Sequence, residues 1–433
     1  MNRLILLFYL ILGCAQISWA IPQIQHWQTD KGTQVYFVST MELPMVDIEV
    51  VFDAGSARDG AQPGIAMLTN GLLSEGAGGR SANELAEQFE NVGAEFSNFT
   101  GRDMADVSLR SLTDPALLQP ALDALALLLT QPDFAAVAFK RVQQQMLASL
   151  KHQQQTPGPI AEQAFFQAVF KDHPYAHLSE GSLESIKALT IEAVKAFYQR
   201  YYVANNAIIS IVGALKRLQA EQLVQTLTAQ LPSGTPPAEL PAVAALTTAE
   251  TVRINHPATQ THLLMGQPGI ARGDEDYFAL YVGNYILGGS GFASRLMNEI
   301  REKRGLAYST YSYFLPLKAQ GPFMAAVETR NEQSQHALEV LRQTIAEFIK
   351  TGPTETELKE AKQGITGKFP LRIKSNSNII GYLSLIGFYQ LPLDYLHTFN
   401  QKVEAVTLEA IQTAFKEKLK LDQFVTVMVG GQS

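Results

Sequence analysis

Two rhythms of hydrophobic and polar positions run along the chain. Met45-Val-Asp-Ile-Glu-Val-Val-Phe52 is short, apolar and rich in β-branched residues, which predicts a strand, and so does Asp103 to Leu112. Pro63 to Ser74 and Ser81 to Val92 carry helical spacing, and long helices are predicted from there to about residue 155. The later part of the chain returns to the same elements. Thr261 to Gly266 is strand-like, Tyr277 to Leu287 and Phe292 to Arg304 are helical, and a strand follows in which Tyr308, Thr310, Ser312 and Phe314 are expected to share a face. Strands and helices are interspersed without strict alternation. That predicts an α+β fold, with mainly antiparallel sheets and helices on one face of each.

The pattern repeats. Ile186-Lys-Ala-Leu-Thr-Ile-Glu-Ala-Val194 resembles Val403-Glu-Ala-Val-Thr-Leu-Glu-Ala-Ile411, 217 residues later. The match continues without a gap from Ile208-Ile-Ser-Ile-Val-Gly213 to Val425-Thr-Val-Met-Val-Gly430. Each copy reads as a helix capped by Thr190 or Thr407, with Glu192 or Glu409 in its first turn, leading into a short buried strand. A repeat that closes both parts of the chain predicts two homologous halves. Leu231 to Pro241 is rich in proline and polar residues and reads as an extended linker. The expected division is a leader at 1–20, an N-terminal α+β domain at 21–230, a linker at 231–249 and a C-terminal α+β domain at 250–433.

Composition changes this picture at the edges. Of 433 residues, 46% are hydrophobic and 17% charged, which is ample core-forming material. A net charge of −7 with no basic block argues against nucleic-acid binding. Met1-Asn2-Arg3, the apolar run Leu4 to Leu12 and Ser18-Trp19-Ala20 together predict an export signal cut after Ala20, and hence a periplasmic protein. Cys14 is the only cysteine, and it lies in that segment. A chain cut after Ala20 has no cysteine for disulfides, thiolate metal sites or cysteine catalysis. Ile11-Leu-Gly-Cys14 also weakly matches a lipoprotein signal, so contact with a membrane is expected only through a lipid on Cys14.

Candidate chemistry concentrates in Gly288-Gly-Ser-Gly-Phe-Ala-Ser-Arg-Leu-Met-Asn-Glu-Ile-Arg-Glu-Lys-Arg-Gly-Leu-Ala-Tyr308. A glycine turn enters a helix whose apolar face is Leu296, Met297 and Ile300, and Gly305 suits its C-terminal cap. Arg301 at the helix end and Tyr308 on the next strand can converge across that turn. A guanidinium beside a phenol can grip a peptide carbonyl and an oxyanion. The same residues also fit a plainer reading, with Arg301 favouring the helix C-terminus and Tyr308 packing on the sheet.

The run from Leu287 to Tyr308 resembles the second-domain motif of the pitrilysin/insulinase family of zinc peptidases, which includes the mitochondrial processing peptidase. Gly64-Ile-Ala-Met-Leu-Thr-Asn-Gly-Leu-Leu-Ser-Glu-Gly76 resembles the family's first-half helix, and Gly93-Ala-Glu-Phe-Ser-Asn98 the strand after it. The resemblance covers nearly all of residues 30–430. It implies duplicated α+β halves that form one side of a clamshell. It implies that Arg301 and Tyr308 bind substrate and stabilise the transition state. It also implies substrate-side positions at Gly288, Gly289, Ser290, Gly291, Ser97 and Asn98.

One departure from the family is decisive. Active members carry His-x-x-Glu-His on the first helix, placing two zinc ligands and a base on one face. The matching positions here are Met67, Asn70 and Gly71. Neither Met67 nor Gly71 replaces an imidazole ligand, and Asn70 cannot act as a base. The family's third ligand, a glutamate some 75 residues further on, is missing too, because no acidic residue occurs between Asp133 and Glu162. Some members are heterodimers in which one subunit holds zinc and the other holds the Arg/Tyr pair. The resemblance therefore implies a chain with no metal of its own, a homologous partner subunit that bears the zinc, and a peptide substrate. The alternative is a catalytically inactive peptide-binding or scaffold protein of the same fold. No feature supports a peptidase acting alone.

The remaining motifs have structural readings. His173 and His177 flank Pro174, which favours a loop over a shared metal. His256 and His262 lack carboxylates at ligand spacing. Gly288 to Gly291 lacks the Lys-Ser/Thr of a phosphate loop. Asn98-Phe-Thr100 is a formal glycosylation sequon on a predicted strand.

Overall fold

A computed structural model describes residues 23–431. The predicted leader and Cys14 lie outside the described residues.

Each half is built on one sheet. The first runs, edge to edge, Gln25–Gln28, Gln34–Ser39, Ala207–Gly213, Met45–Phe52, Ala105–Leu112 and Glu95–Thr100. The second runs Glu250–Asn255, Val425–Gly430, Gln260–Pro268, Pro322–Arg330 and Ala307–Phe314. Apart from the extra strand Gln25–Gln28, the two sheets correspond strand for strand. Both are antiparallel except for one parallel pair, Gln34–Ser39 with Ala207–Gly213 in the first and Glu250–Asn255 with Val425–Gly430 in the second. The repeat read from the sequence is thus a repeat of topology. Its caps recur as well: the Thr190 side chain accepts from the Ala193 N–H at 3.2 Å, and Thr407 from Ala410 at 3.1 Å.

Each half's own helices bury one face of its sheet. In the first half, Val46, Ile48, Val50 and Phe52 pack under Ile65–Leu72 and Pro115–Thr130. In the second, Leu263, Met265, Phe323 and Ala325 pack under Tyr277–Asn284 and Ser334–Thr351. The opposite faces are covered by exchange. Pro157–Phe170 of the first half lays Phe165, Phe166 and Val169 on Leu264, Val425 and Val427 of the second sheet. Asn376–Phe388 of the second half crosses the first sheet, where the Ser384 hydroxyl meets Glu49 Oε2 at 2.8 Å and Ser210 Oγ at 3.0 Å.

Residues 231–247 form no regular structure, yet they are docked onto the protein. Leu231 and Leu246 are buried. Arg58 donates to Ala238 O at 2.7 Å, Arg200 to Thr235 O at 2.8 Å, and the His173 ring bonds Pro241 O at 3.0 Å. The loop 315–321 joins the halves from the other side. Lys318 donates its backbone N–H to Asp103 at 2.7 Å, and its ammonium meets Asp53, which Arg58 also grips through two bonds of 2.7 Å. Asp103 further accepts from Tyr175 and Tyr389, so these groups are mutually satisfied in the seam between the halves.

Candidate functional site

The helix at the degenerate metal motif is Ile65–Leu72. Its first turn is tied by the buried Asp59 carboxylate, which accepts from Gly64 N at 2.7 Å and Ala66 N at 3.0 Å and also meets His177 Nε2 at 3.2 Å. Met67 and Gly71 are half-buried, and Asn70 is 2% exposed. Asn70 Nδ2 donates to Phe99 O at 2.6 Å and Asp106 O at 3.1 Å, and Asn98 Nδ2 donates back to Asn70 O at 2.8 Å. Asn70 therefore fastens the helix to the edge of the first sheet. Asn284 makes a matching tie in the second half: Nδ2 donates to Ser312 O at 2.8 Å, and Ser312 Oγ donates to Asn284 Oδ1 at 2.7 Å.

These residues do not fit zinc. A thioether, an amide whose NH₂ is committed to two carbonyls and a glycine offer neither imidazole nor carboxylate. Space is not the obstacle, since a Cβ at Gly71 would meet only Val142 Cγ1, at 3.8 Å. The neighbouring helix Ala136–Gln153 brings Arg141, paired to Glu75, rather than an acidic ligand. Among the described residues, no group of three His, Cys, Asp or Glu side chains could hold a metal. The other histidines singled out in the sequence make contacts within the fold. His173 Nδ1 accepts from Tyr175 N at 3.1 Å, His256 Nδ1 from Ala258 N at 3.2 Å, and His262 faces Glu328 at 3.4 Å.

Arg301 and Tyr308 do meet. The predicted helix over 292–304 is broken at Ser294, whose hydroxyl donates to Gly291 O at 2.8 Å and accepts from Met297 N at 3.3 Å. Beyond it Met297–Glu302 widens into a π-helical turn, as does Tyr285–Gly289 at the end of the preceding helix. Gly288 lets that earlier turn touch the strand, because a Cβ there would lie 2.3 Å from Ser312 Oγ and 2.5 Å from Ser312 N. Arg295 fixes the later turn through paired bonds to Glu357 at 2.6 and 2.7 Å. Burial pushes the Glu357 carboxyl up, but bonds from Arg295 and Thr354 outweigh it and hold the group down at about 2. The chain then turns at Gly305, with φ +59°, into Ala307–Phe314.

A bulge between Ala307 and Ser309 leaves Tyr308 unpaired, which corrects the expected alternation. Thr310 and Ser312 are buried, whereas Tyr308 is 80% exposed. The Arg301 guanidinium lies between two rings, 4.8 Å from the Tyr308 centroid and 4.7 Å from that of Phe292. Among the described residues, no hydrogen bond uses the Tyr308 hydroxyl.

The pair borders a pocket of about 700 Å³ lined also by Gly288, Gly289 and Gly291, but not by Ser290. Ser97 and Asn98 lie elsewhere, on the edge of the first sheet. Ser97 pairs with Ser108 at 2.7 Å, and Asn98 points inward to the motif helix, so its side chain is part of the framework. Sequence reasoning missed Phe292, Arg272 and Arg372 as pocket residues. It also missed the tyrosine stripe at 277, 281 and 285, whose spacing of four was the available signal.

Comparison with known proteins places this geometry. Residues 35–180 match the family model described as insulinase (peptidase family M16), and residues 188–365 the one described as peptidase M16 inactive domain. A crystal structure described as a peptidase M16 inactive domain from Pseudomonas fluorescens aligns with TM-score 0.92 at 41% identity, covering 95% of this chain and 98% of that one. The "non-peptidase homolog YmxG" of Helicobacter pylori is 26% identical over 392 residues, 90% of each chain. The "uncharacterized zinc protease YmxG" of Bacillus subtilis is 24% identical over 393 residues, 90% of this chain and 94% of that one. Both halves match M16 models, and a solved relative shares 41% identity over nearly its whole length: the chain belongs to the insulinase family of peptidases, family M16.

Proposed function

We propose that this chain is the zinc-free subunit of a two-chain periplasmic peptidase. A homologous partner bears the metal, and this chain presents Arg301 and Tyr308 to a peptide enclosed between the two subunits. The observation that carries the reading is a contrast within one chain. The metal motif is replaced by residues that serve the fold, while Tyr308 is held out to solvent on a bulge beside Arg301. Ala307–Phe314 is also the edge of its sheet, so outward main-chain groups near Tyr308, away from Ser312 whose carbonyl Asn284 occupies, are available to an extended peptide. In the complex the Tyr308 hydroxyl would donate to the developing oxyanion. Arg301, steadied between two rings, would hold a substrate carbonyl or orient the phenol. The M16 relative named a non-peptidase homolog favours a second reading, in which the fold binds peptides without cleavage anywhere in the assembly.

The test is affinity purification of the tagged chain from its native cells, with zinc content and peptidase activity measured in the eluate. The proposal expects zinc and chelator-sensitive activity together with a co-purified chain of similar size, and neither from this chain made alone. A complex without zinc or activity would favour the second reading.

A further inference from the structure

The pocket beside Arg301 has a charge character that the Arg/Tyr pair alone does not explain. Three arginines line it, Arg272, Arg301 and Arg372, and none of its lining residues is acidic. Arg372 donates to the Tyr281 hydroxyl at 3.0 Å. The Arg272 guanidinium lies 5.6 Å from the Tyr277 ring and 5.2 Å from the Tyr389 ring, and its Nε is buried without a hydrogen-bond partner. Asp274 and Asp276 face the Lys418 ammonium at 2.9 and 3.3 Å, Glu275 lines the adjoining cavity rather than this one, and Arg301 meets Glu302 at 3.5 Å outside the lining. A buried guanidinium N–H without an acceptor is costly, and the fold supplies none. The Arg272 Nη groups are not buried and no hydrogen bond among the described residues uses them, so they are the ones an incoming carboxylate would engage, in the planar geometry for which guanidinium is suited.

We infer that this pocket is a carboxylate-binding subsite, so that the peptide held by this chain carries an acidic side chain or its own C-terminal carboxylate next to the segment at Tyr308. Arg272 and Arg372 are its specificity-determining residues. The inference rests on the peptide-binding role proposed above, and it names the substrate class. Tyr277, Tyr281 and Tyr285 form an aromatic wall beside the arginines, which lowers the local polarity around each charge-assisted bond.

The test needs no partner subunit. The purified full-length chain is titrated into fluorescein-labelled peptides, with binding read by fluorescence anisotropy. One peptide has glutamates and an amidated C-terminus, a second has glutamine at those positions and a free C-terminal carboxylate, and a third has glutamine and an amidated end. The first or second should bind at least about tenfold more tightly than the third, and which one does so identifies the carboxylate's source. Arg272→Gln and Arg372→Gln should each remove most of that preference, and Arg272→Lys should not restore it in full. Added salt should weaken the preferred peptide selectively. Equal affinities for the three peptides, no binding of any, or a preference unchanged in both glutamine variants would overturn the inference. Failure here with a zinc-dependent active complex leaves the subunit role standing. Success here with no active complex leaves the subsite standing.

Discussion

Replacing Asn70 by alanine tests whether this position is a structural tie. The substitution removes the bonds of 2.6 and 3.1 Å to Phe99 O and Asp106 O in a site where Asn70 is 2% exposed. A lost hydrogen bond costs about 1 kcal/mol net, and a buried acceptor left bare costs about 1–3 kcal/mol, so the expected loss is about 2–4 kcal/mol. For a cooperative unit of about 200 residues each kcal/mol moves Tm by about 2–4 °C, which gives a drop on the order of 5–10 °C. Differential scanning calorimetry reads this directly. Asn70→Asp sharpens the test. A carboxylate donates nothing and sets a charge against two carbonyls, so at neutral pH it should be worse than alanine. Acidification should recover part of the loss, because the protonated acid regains one donor. A Tm shift within about 1 °C for the alanine variant, or an aspartate variant no worse than alanine at neutral pH, would refute the reasoning.

Other consequences can be checked separately. Tyr308→Phe should lower turnover of the assembled complex by about 10²–10³ while leaving assembly intact, and an unchanged rate would remove the phenol from the chemistry. Gly288→Ala drives a Cβ to within 2.3 Å of Ser312 Oγ, so it should destabilise by about 1–3 kcal/mol and reshape the pocket, read by calorimetry and peptide anisotropy. Burial, with the Glu49 carboxylate nearby, pushes Asp106 up to about 7. Its folded pKa is therefore above the unfolded value of about 3.9. The folded state binds the extra proton between those values, so this stabilisation is present in acid and is lost as pH rises through about 7. Asp106→Asn should flatten the fall of Tm between about pH 4 and 7, and parallel wild-type and variant profiles would exclude the effect.

The chain's layers were legible where local chemistry determines them. The β-branched run Met45 to Phe52 and the Thr-x-Glu caps at Thr190 and Thr407 state their own structure, so the repeat could be read without coordinates. The exchange of helices was not. Pro157–Phe170 is apolar on several sides, and nothing in Phe165, Phe166 or Val169 says which sheet they cover. Periodicity also predicted one helix across 292–304, because π-helical turns keep apolar residues facing inward while shifting the register. Tyr308 was assigned a face by alternation, which a single unpaired residue reverses. Arg301 and Tyr308 were found because seven residues of sequence separate them. Arg272 and Arg372 lie a hundred residues apart and come to line one pocket only through folding.

The two halves also show why the first could lose metal chemistry without disturbing the second. Asn70 and Asn284 do the same work, each tying a sheet-covering helix to the edge strand of its own sheet. A base at position 70 would instead have to leave those carbonyls and face solvent. The Arg301/Tyr308 pair depends on none of this. Its supports are the Ser294 cap, the Arg295–Glu357 pair and the Gly305 turn, all in the second half. A scaffold would need only the buried parts of that arrangement. An exposed phenol stacked on a guanidinium, beside a pocket with three arginines and no acidic residue in its lining, contributes little to the core and is suited to receiving a ligand.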